Sequence, residues 1–370
     1  MSKKVKILNL DKGIGSNRDK DLDFFRGVAA VNIILLHTSF HANLPVIIFL
    51  TMMFDVPLFL FLSGWSAIYS HNFVNMLSRL MKTWILWAIV ILSCNMISLI
   101  IRGNCDTPLQ FFNSIIFKEW TLAGFNRVGE SGWFLYMYFS VVPIMTLLIG
   151  LTEKNGFSCR DYLLILIFIF LGVLYLSIYE GASFYYLSRR VLFYSFFYLL
   201  GFIYAKYRPH LSLGIAFCLI FVNVGLWYLT GKLLSLDLMN IQSYKFPIPN
   251  IVYLFFSTIS VIIVCYINSV NIRTSEKVSS IQKNEFAGFM AIIRWIGRNA
   301  ICFYLAQAFG DQFIIRFFSV PFTIPVLQLV TEFFVSLSVT LVAGSLIYLL
   351  NILFDYALKK IKIMINKTLC

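Results

Sequence analysis

Charge is scarce in this sequence. Asp, Glu, Lys and Arg together make up 13% of its 370 residues, about half the share of a soluble domain. A chain so poor in charge cannot cover a water-facing surface, which excludes a soluble enzyme, a disordered tail and a secreted disulfide scaffold. The seven cysteines (Cys94, Cys105, Cys159, Cys218, Cys265, Cys302 and Cys370) form no CxxC and keep no regular spacing. Most lie in apolar runs, where Cys acts as a small hydrophobe, so neither a disulfide framework nor a zinc site is expected. There is no internal repeat, no low-complexity tract and no soluble appendage. A signal peptide is also missing: the first 22 residues are polar, with Lys3, Lys4, Lys6, Lys12, Arg18 and Lys20 and no small-residue cleavage site.

What is present is apolar mass. Hydrophobic residues make up 59% of the chain, with 38 Phe, 19 Tyr and 7 Trp, and the mean hydropathy is +0.82. The solvent that accepts such surface is the bilayer, and the fold class expected is an all-α polytopic membrane protein. The net charge of +13 does not point to nucleic acid. The basic residues sit in short segments between long apolar runs, as orientation signals do.

A spanning helix needs about 20 mostly apolar residues. Ten segments qualify, near 24–41, 44–69, 80–101, 132–150, 161–179, 188–205, 211–230, 249–267, 292–317 and 326–354. The second and last are long enough to tilt or to run past the membrane. The longest polar stretches fall near 102–131 and 268–291. With the N-terminus inside, 22 of the 30 Lys and Arg lie in cytosolic segments, a bias that predicts ten helices with both termini cytosolic. The chain then divides into a cytosolic segment 1–22, a ten-helix domain 23–356 and a cytosolic tail 357–370.

Ionisable groups inside a bilayer are costly and therefore informative. In the first span Arg26 and His37 are 11 positions apart, which returns them to within about 20° of one helix face, about 16 Å apart along the axis. Asp23 and His41, at three and four residues from these, share the stripe. The same pattern also fits an imidazole bonded to a neighbouring helix and an interfacial Asp23–Arg26 pair. His37 and His41 stand at a metal-ligand spacing, but no HExxH or other His/Cys cluster offers a third ligand, and no metal is expected. In the second span Asp55 is a buried acid followed by Pro57, with Ser63-Gly64 allowing close backbone approach; a kink and a packing notch account for the same residues. Arg79 and Lys82 put two cations on adjacent turns, as an anchor or a phosphate site would.

These segments, taken in order, resemble the membrane acyltransferase family 3. LDFFRGVAAVNIILLHTSF carries an Arg, ten residues and a His, and VPLFLFLSGW is similar to that family's second-helix segment. Arg79-x-x-Lys82 is similar to its Arg-x-x-Arg pair, with Lys in the last place. Gly132-Trp133-Phe134-Leu135-Tyr136 and Trp295-Ile296-Gly297-Arg298-Asn299, followed by Tyr304-Leu305, resemble its fourth-helix and late-helix segments. The resemblance runs from about 20 to 310. Two departures stand out: Gln307 lies where many members place a His, and Lys82 offers a point charge where Arg offers a planar fork.

The resemblance implies a stand-alone O-acyltransferase of the bacterial cytoplasmic membrane, without an SGNH domain. It would move acetyl from cytosolic acetyl-CoA to a hydroxyl of a polysaccharide or lipid-linked glycan. The catalytic residues would be His37, as base on the acceptor hydroxyl or as transient acyl carrier, with Arg26 and Asp23. Arg26, Arg79 and Lys82 would hold the phosphates of the donor. Asp55, Trp133 and Tyr136 are candidates for substrate contact, although aromatic-belt packing fits the last two as well. A transporter or flippase of envelope intermediates is the competing class, and a sensory or scaffolding membrane protein a third. The other large polytopic acyltransferase class also pairs a buried His with an Asn, but lacks this placement of His behind an Arg.

Overall fold

The computed structural model describes residues 19–37, 45–69, 72–103, 105–116, 125–178, 185–245, 249–277, 287–317 and 324–368. Among these, every regular element is an α-helix: α1 (Lys20–Leu36), α2 (Pro45–Met53), α3 (Val56–Ala67), α4 (Phe73–Arg102), α5 (Pro108–Ile115), α6 (Asn126–Lys154), α7 (Cys159–Ile178), α8 (Tyr185–Tyr207), α9 (Leu213–Leu233), α10 (Ile241–Lys245), α11 (Ile251–Lys277), α12 (Ala287–Arg298), α13 (Ala300–Phe317) and α14 (Pro325–Thr368). Seven of the described segments are long and apolar enough to cross a membrane, and an eighth follows if α12 and α13 count as one bent span. The chain is a multi-pass helical membrane protein. The other two of the ten expected spans correspond to α1, with 17 helical residues, and to α8, which carries Arg189, Arg190 and Lys206.

Two expected spans are not continuous helices. The segment 44–69 breaks at Phe54–Asp55. Pro57 cannot donate to the preceding turn, and its ring crowds a carbonyl there, so the first turn of a new helix suits it best. It stands in the first turn of α3, behind Asp55 in extended conformation. Asn32 of α1 takes up freed carbonyls, its Nδ2 donating to Thr51 O at 2.8 Å and Phe54 O at 3.1 Å. The segment 292–317 bends by 93° between α12 and α13. There the Asn299 side chain donates to Trp295 O at 3.0 Å, while its main-chain carbonyl accepts from Cys302 N at 2.8 Å as α13 begins. The amphipathic α12 buries Ile293 and Ile296 and exposes Phe289, Ile292 and Arg298. Within the stretch 102–131, α5 folds back along α4, where Trp84 and Trp87 donate to Ile115 O and Ser114 O, each at 3.1 Å.

Lipid tails are as apolar as Leu, so helices in a membrane associate through close packing rather than through a hydrophobic drive. Two helix pairs touch backbone to backbone through a glycine on each helix. A Cβ on Gly64 of α3 would lie 1.8 Å from Tyr198 O of α8, and one on Gly201 of α8 would lie 1.9 Å from Phe61 O. A Cβ on Gly27 of α1 would lie 2.0 Å from Ile293 O of α12, and one on Gly297 would lie 1.7 Å from Asp23 O. Around these seams sits a core of large rings, Trp65, Phe61, Phe134, Tyr194, Phe197 and Tyr253 among them.

Ion pairs gather at one end of the bundle. Asp19 accepts from Arg208 at 3.1 Å and from the Tyr69 hydroxyl at 3.0 Å. Lys206 pairs with Glu153, and Lys82 with Asp355 at 2.6 Å. These bonds tie the start of α1, the ends of α3, α6 and α8, the start of α4 and the far part of α14 to the same side. The last helix continues from its span to Thr368 without a break.

Gly201→Ala is expected to lower stability by about 1–3 kcal/mol through overpacking. Gly214→Ala on α9, where nothing lies within 4 Å of the added carbon, should be neutral or slightly stabilising. Thermal unfolding of the two variants in detergent checks both.

Candidate functional site

Between α3, α4, α6 and α8 lies a small recess. Arg79 of α4, Ser63 and Ser66 of α3, Tyr138 and Thr146 of α6, and Tyr198 of α8 give it a polar lining. Tyr198 stands within 3.5 Å of Thr146 Oγ1, and both Arg26 and Arg79 act electrostatically on its hydroxyl. Arg26 reaches this wall from α1, its Nη2 donating to Leu62 O at 3.3 Å. Two guanidiniums from helices far apart in sequence therefore flank one recess with hydroxyls in its wall. That donor-rich set suits phosphate or an amide-bearing arm.

The other charges expected beside them are engaged differently. Asp23 is 1% exposed and accepts from Arg298 Nε of α12 at 3.1 Å, in the seam where Gly297 brings the two backbones together. Lys82, one turn beyond Arg79, is tied to Asp355 of α14 rather than lining the recess.

His37 caps the C-terminus of α1, with its side chain 41% exposed. Its Nδ1 stands 3.8 Å from Asp311 Oδ2 on α13. A proton on Nδ1, facing the carboxylate, puts the lone pair on Nε2, which is the arrangement of a general base. His41 lies outside the described residues. Asp55 is buried at the break between α2 and α3 and is paired with Lys245 of α10, with the Tyr253 hydroxyl 3.5 Å away. Trp133 and Tyr136 are half-buried on α6 and pack against the core, outside the recess lining. Phe134 between them meets Tyr304 of α13 with ring centroids 4.5 Å apart and Phe59 of α3 at 5.9 Å. Three of the segments singled out in the sequence thus converge on one aromatic cluster.

Asp311 and Tyr198 are the site residues that sequence reasoning missed. Asp311 carried a usable signal, an acid inside an apolar run. Tyr198 carried none, since one Tyr among many on an aromatic helix is indistinguishable from packing. Among the described residues no group of three His, Cys, Asp or Glu stands close enough to hold a metal ion.

The sequence matches the model of a family described as an acyltransferase domain over residues 19–349. The chain belongs to the acyltransferase 3 family and is a membrane acyltransferase by that membership. No curated protein and no solved structure matches it.

Asp21, ahead of the first span, has its carboxyl pKa raised, by burial first and then by the Asp19 charge, against the pull of Arg294. A raised folded-state pKa means that this group's contribution to stability is present at acid pH and lost as the pH rises through that value. Asp21→Asn should therefore unfold at a higher temperature than the wild type at neutral pH. The difference should close as the pH falls through the carboxylate range, and a thermal series against pH reads it.

Proposed function

We propose that this chain is an O-acetyltransferase of the bacterial cytoplasmic membrane, with ten spans and both ends in the cytosol. It takes acetyl from cytosolic acetyl-CoA and places it on a hydroxyl of a cell-surface or lipid-linked polysaccharide. The observation that carries this reading is the pairing of two places along α1. Arg26 reaches the α3 wall beside the recess that Arg79 lines, and His37 faces Asp311 about 16 Å further along the same helix. In this reading the end rich in ion pairs faces the cytosol, as the Lys and Arg tally requires.

The donor's phosphates rest against Arg26 and Arg79, with Lys82 as an outlying positive charge. The pantetheine arm extends along α1, and its length matches the separation of Arg26 from His37. At the far end His37 Nε2 removes the proton from the acceptor hydroxyl while the oxygen attacks the thioester carbonyl. The carbon–sulfur bond breaks, and the departing thiolate takes the proton from the imidazolium, so that acetate ester and CoA thiol balance the reactants. The Asp311 carboxylate stabilises the imidazolium and holds the tautomer. Asp23 keeps α1 in register through Arg298, and Asp55 supports the broken second span through Lys245. Trp133 and Tyr136 are candidates for contact with a sugar ring, through a flat apolar face and a hydroxyl.

His37→Ala should abolish transfer while leaving expression intact, and Asp311→Asn should lower kcat by about 10²-fold or more. Mass spectrometry of cell glycans with and without the protein, and with His37→Ala in its place, provides the test. Acetyl increments restored only by the wild type support the reading and name the acceptor; glycans unchanged by removal of the protein overturn it. Glycan movement without any acyl donor would indicate a carrier instead.

For the donor side, Arg79→Ala should raise KM for acetyl-CoA by about tenfold or more, since a charge-assisted phosphate bond is worth about 1.5–3 kcal/mol. Lys82→Ala should raise it less, because Asp355 already holds that charge. Steady-state CoA release by the purified variants distinguishes the two.

A further inference from the structure

The face that α14 turns to α13 is polar along about three turns. Gln328, Glu332, Ser336 and Thr340 follow one another at helical spacing, a run of about 18 Å, and Gln307 of α13 lies across from it. Glu332 and Thr340 are 0% exposed, Ser336 is 1% and Gln307 3%. Glu332 Oε1 accepts from Gln328 Nε2 at 2.7 Å. Glu332 Oε2, Ser336 Oγ, Thr340 Oγ1 and Gln307 Oε1, all buried, have no hydrogen-bond partner among the described residues.

Gly310 permits close approach of the two helices where Ser336 and Thr340 face α13. A Cβ there would lie 2.6 Å from Ser336 Oγ and 2.7 Å from Thr340 Oγ1. The next residue, Asp311, is the one that faces His37, so the seam abuts the transfer end of the site. Buried polar atoms in a membrane bundle cost several kcal/mol each when unmet, because no bulk water reaches them. The Gln307 and Glu332 oxygens call for donors, and the two hydroxyls can donate as well as accept, a pattern that a hydroxyl-bearing ligand or ordered water meets.

We propose that the α13–α14 seam is a hydroxyl-binding track serving His37. Glu332 Oε2 and Gln307 Oε1 accept from O–H groups, while Ser336 and Thr340 both donate and accept. The O–H groups belong either to the polyol acceptor or to ordered water that precedes it. This deepens the acyltransferase reading and rests on it for the identity of the reaction, but the seam can be tested without it.

The full chain in nanodiscs is compared with Ser336→Ala, Thr340→Val and Glu332→Gln. Unfolding temperature is measured, together with CoA release from acetyl-CoA with and without glycerol as a polyol probe. Acetate and acetylglycerol are quantified separately. If the track binds O–H groups, the variants lose CoA release by about tenfold or more while KM for acetyl-CoA stays within about twofold. A loss confined to acetylglycerol assigns the track to the acceptor, and an equal loss of acetate assigns it to water. If the atoms have no ligand, Ser336→Ala and Thr340→Val remove an unmet group, so the unfolding temperature holds or rises and CoA release is unchanged. That result overturns the proposal. Should Thr340→Val unfold early, Thr340→Ser decides: restored stability shows that the hydroxyl has a bonding partner, and failure to restore it shows a packing defect only and overturns the track. A wild type that releases no CoA overturns the enzymatic reading instead, and the unfolding temperatures still judge the seam.

Discussion

Backbone contact at two pairs of glycines is the constraint on which the rest of this bundle depends. Inside lipid there is no hydrophobic reward for pressing one helix on another, and close approach must supply the dispersion and dipolar contact instead. Gly64 with Gly201, and Gly27 with Gly297, bring main chain against main chain. The first pair fixes α3 beside α8, and so places the Ser63 and Ser66 wall of the recess opposite Tyr198. The second fixes α1 on α12, and so positions Asp23 for Arg298 and sets the rotation of the helix that bears Arg26 and His37. Any side chain at these four positions separates helices that carry the site.

The parts of this architecture that sequence could reveal were those governed by composition and helical period. Apolar runs announced the spans, and the 11-residue interval placed Arg26 and His37 on one stripe. Breaks were harder to see. Pro57 was visible, yet whether it kinks a helix or starts a new one depends on Asn32, a residue of another helix that caps the freed carbonyls. The right angle at Asn299 has no proline beside it to mark it. Partners across the bundle were the least legible. Nothing local tells that Asp23 meets Arg298, that Asp55 meets Lys245, or that Lys82 turns away from Arg79 towards Asp355.

The buried ion pair of Asp55 and Lys245 illustrates how a membrane protein tolerates an acid at a helix break. An isolated carboxylate there would be expensive, and pairing with an ammonium and a phenol offsets most of that cost. The pair also ties the short helix α10 to the second span. Segments too brief to cross the membrane, α5 and α10, are thus held by side chains of the long helices around them.

A further consequence belongs to α1 itself. Because one uninterrupted helix carries the guanidinium at the recess and the imidazole beside Asp311, it acts as a ruler with a reading frame. Substitutions between Arg26 and His37 alter its packing but leave its gauge intact. Adding or removing one residue would swing one group about 100° away from the other and change the spacing by about 1.5 Å. A chain that keeps both ends of this helix anchored, and Gly27 and Asn32 with them, can vary its other letters there, but not their number.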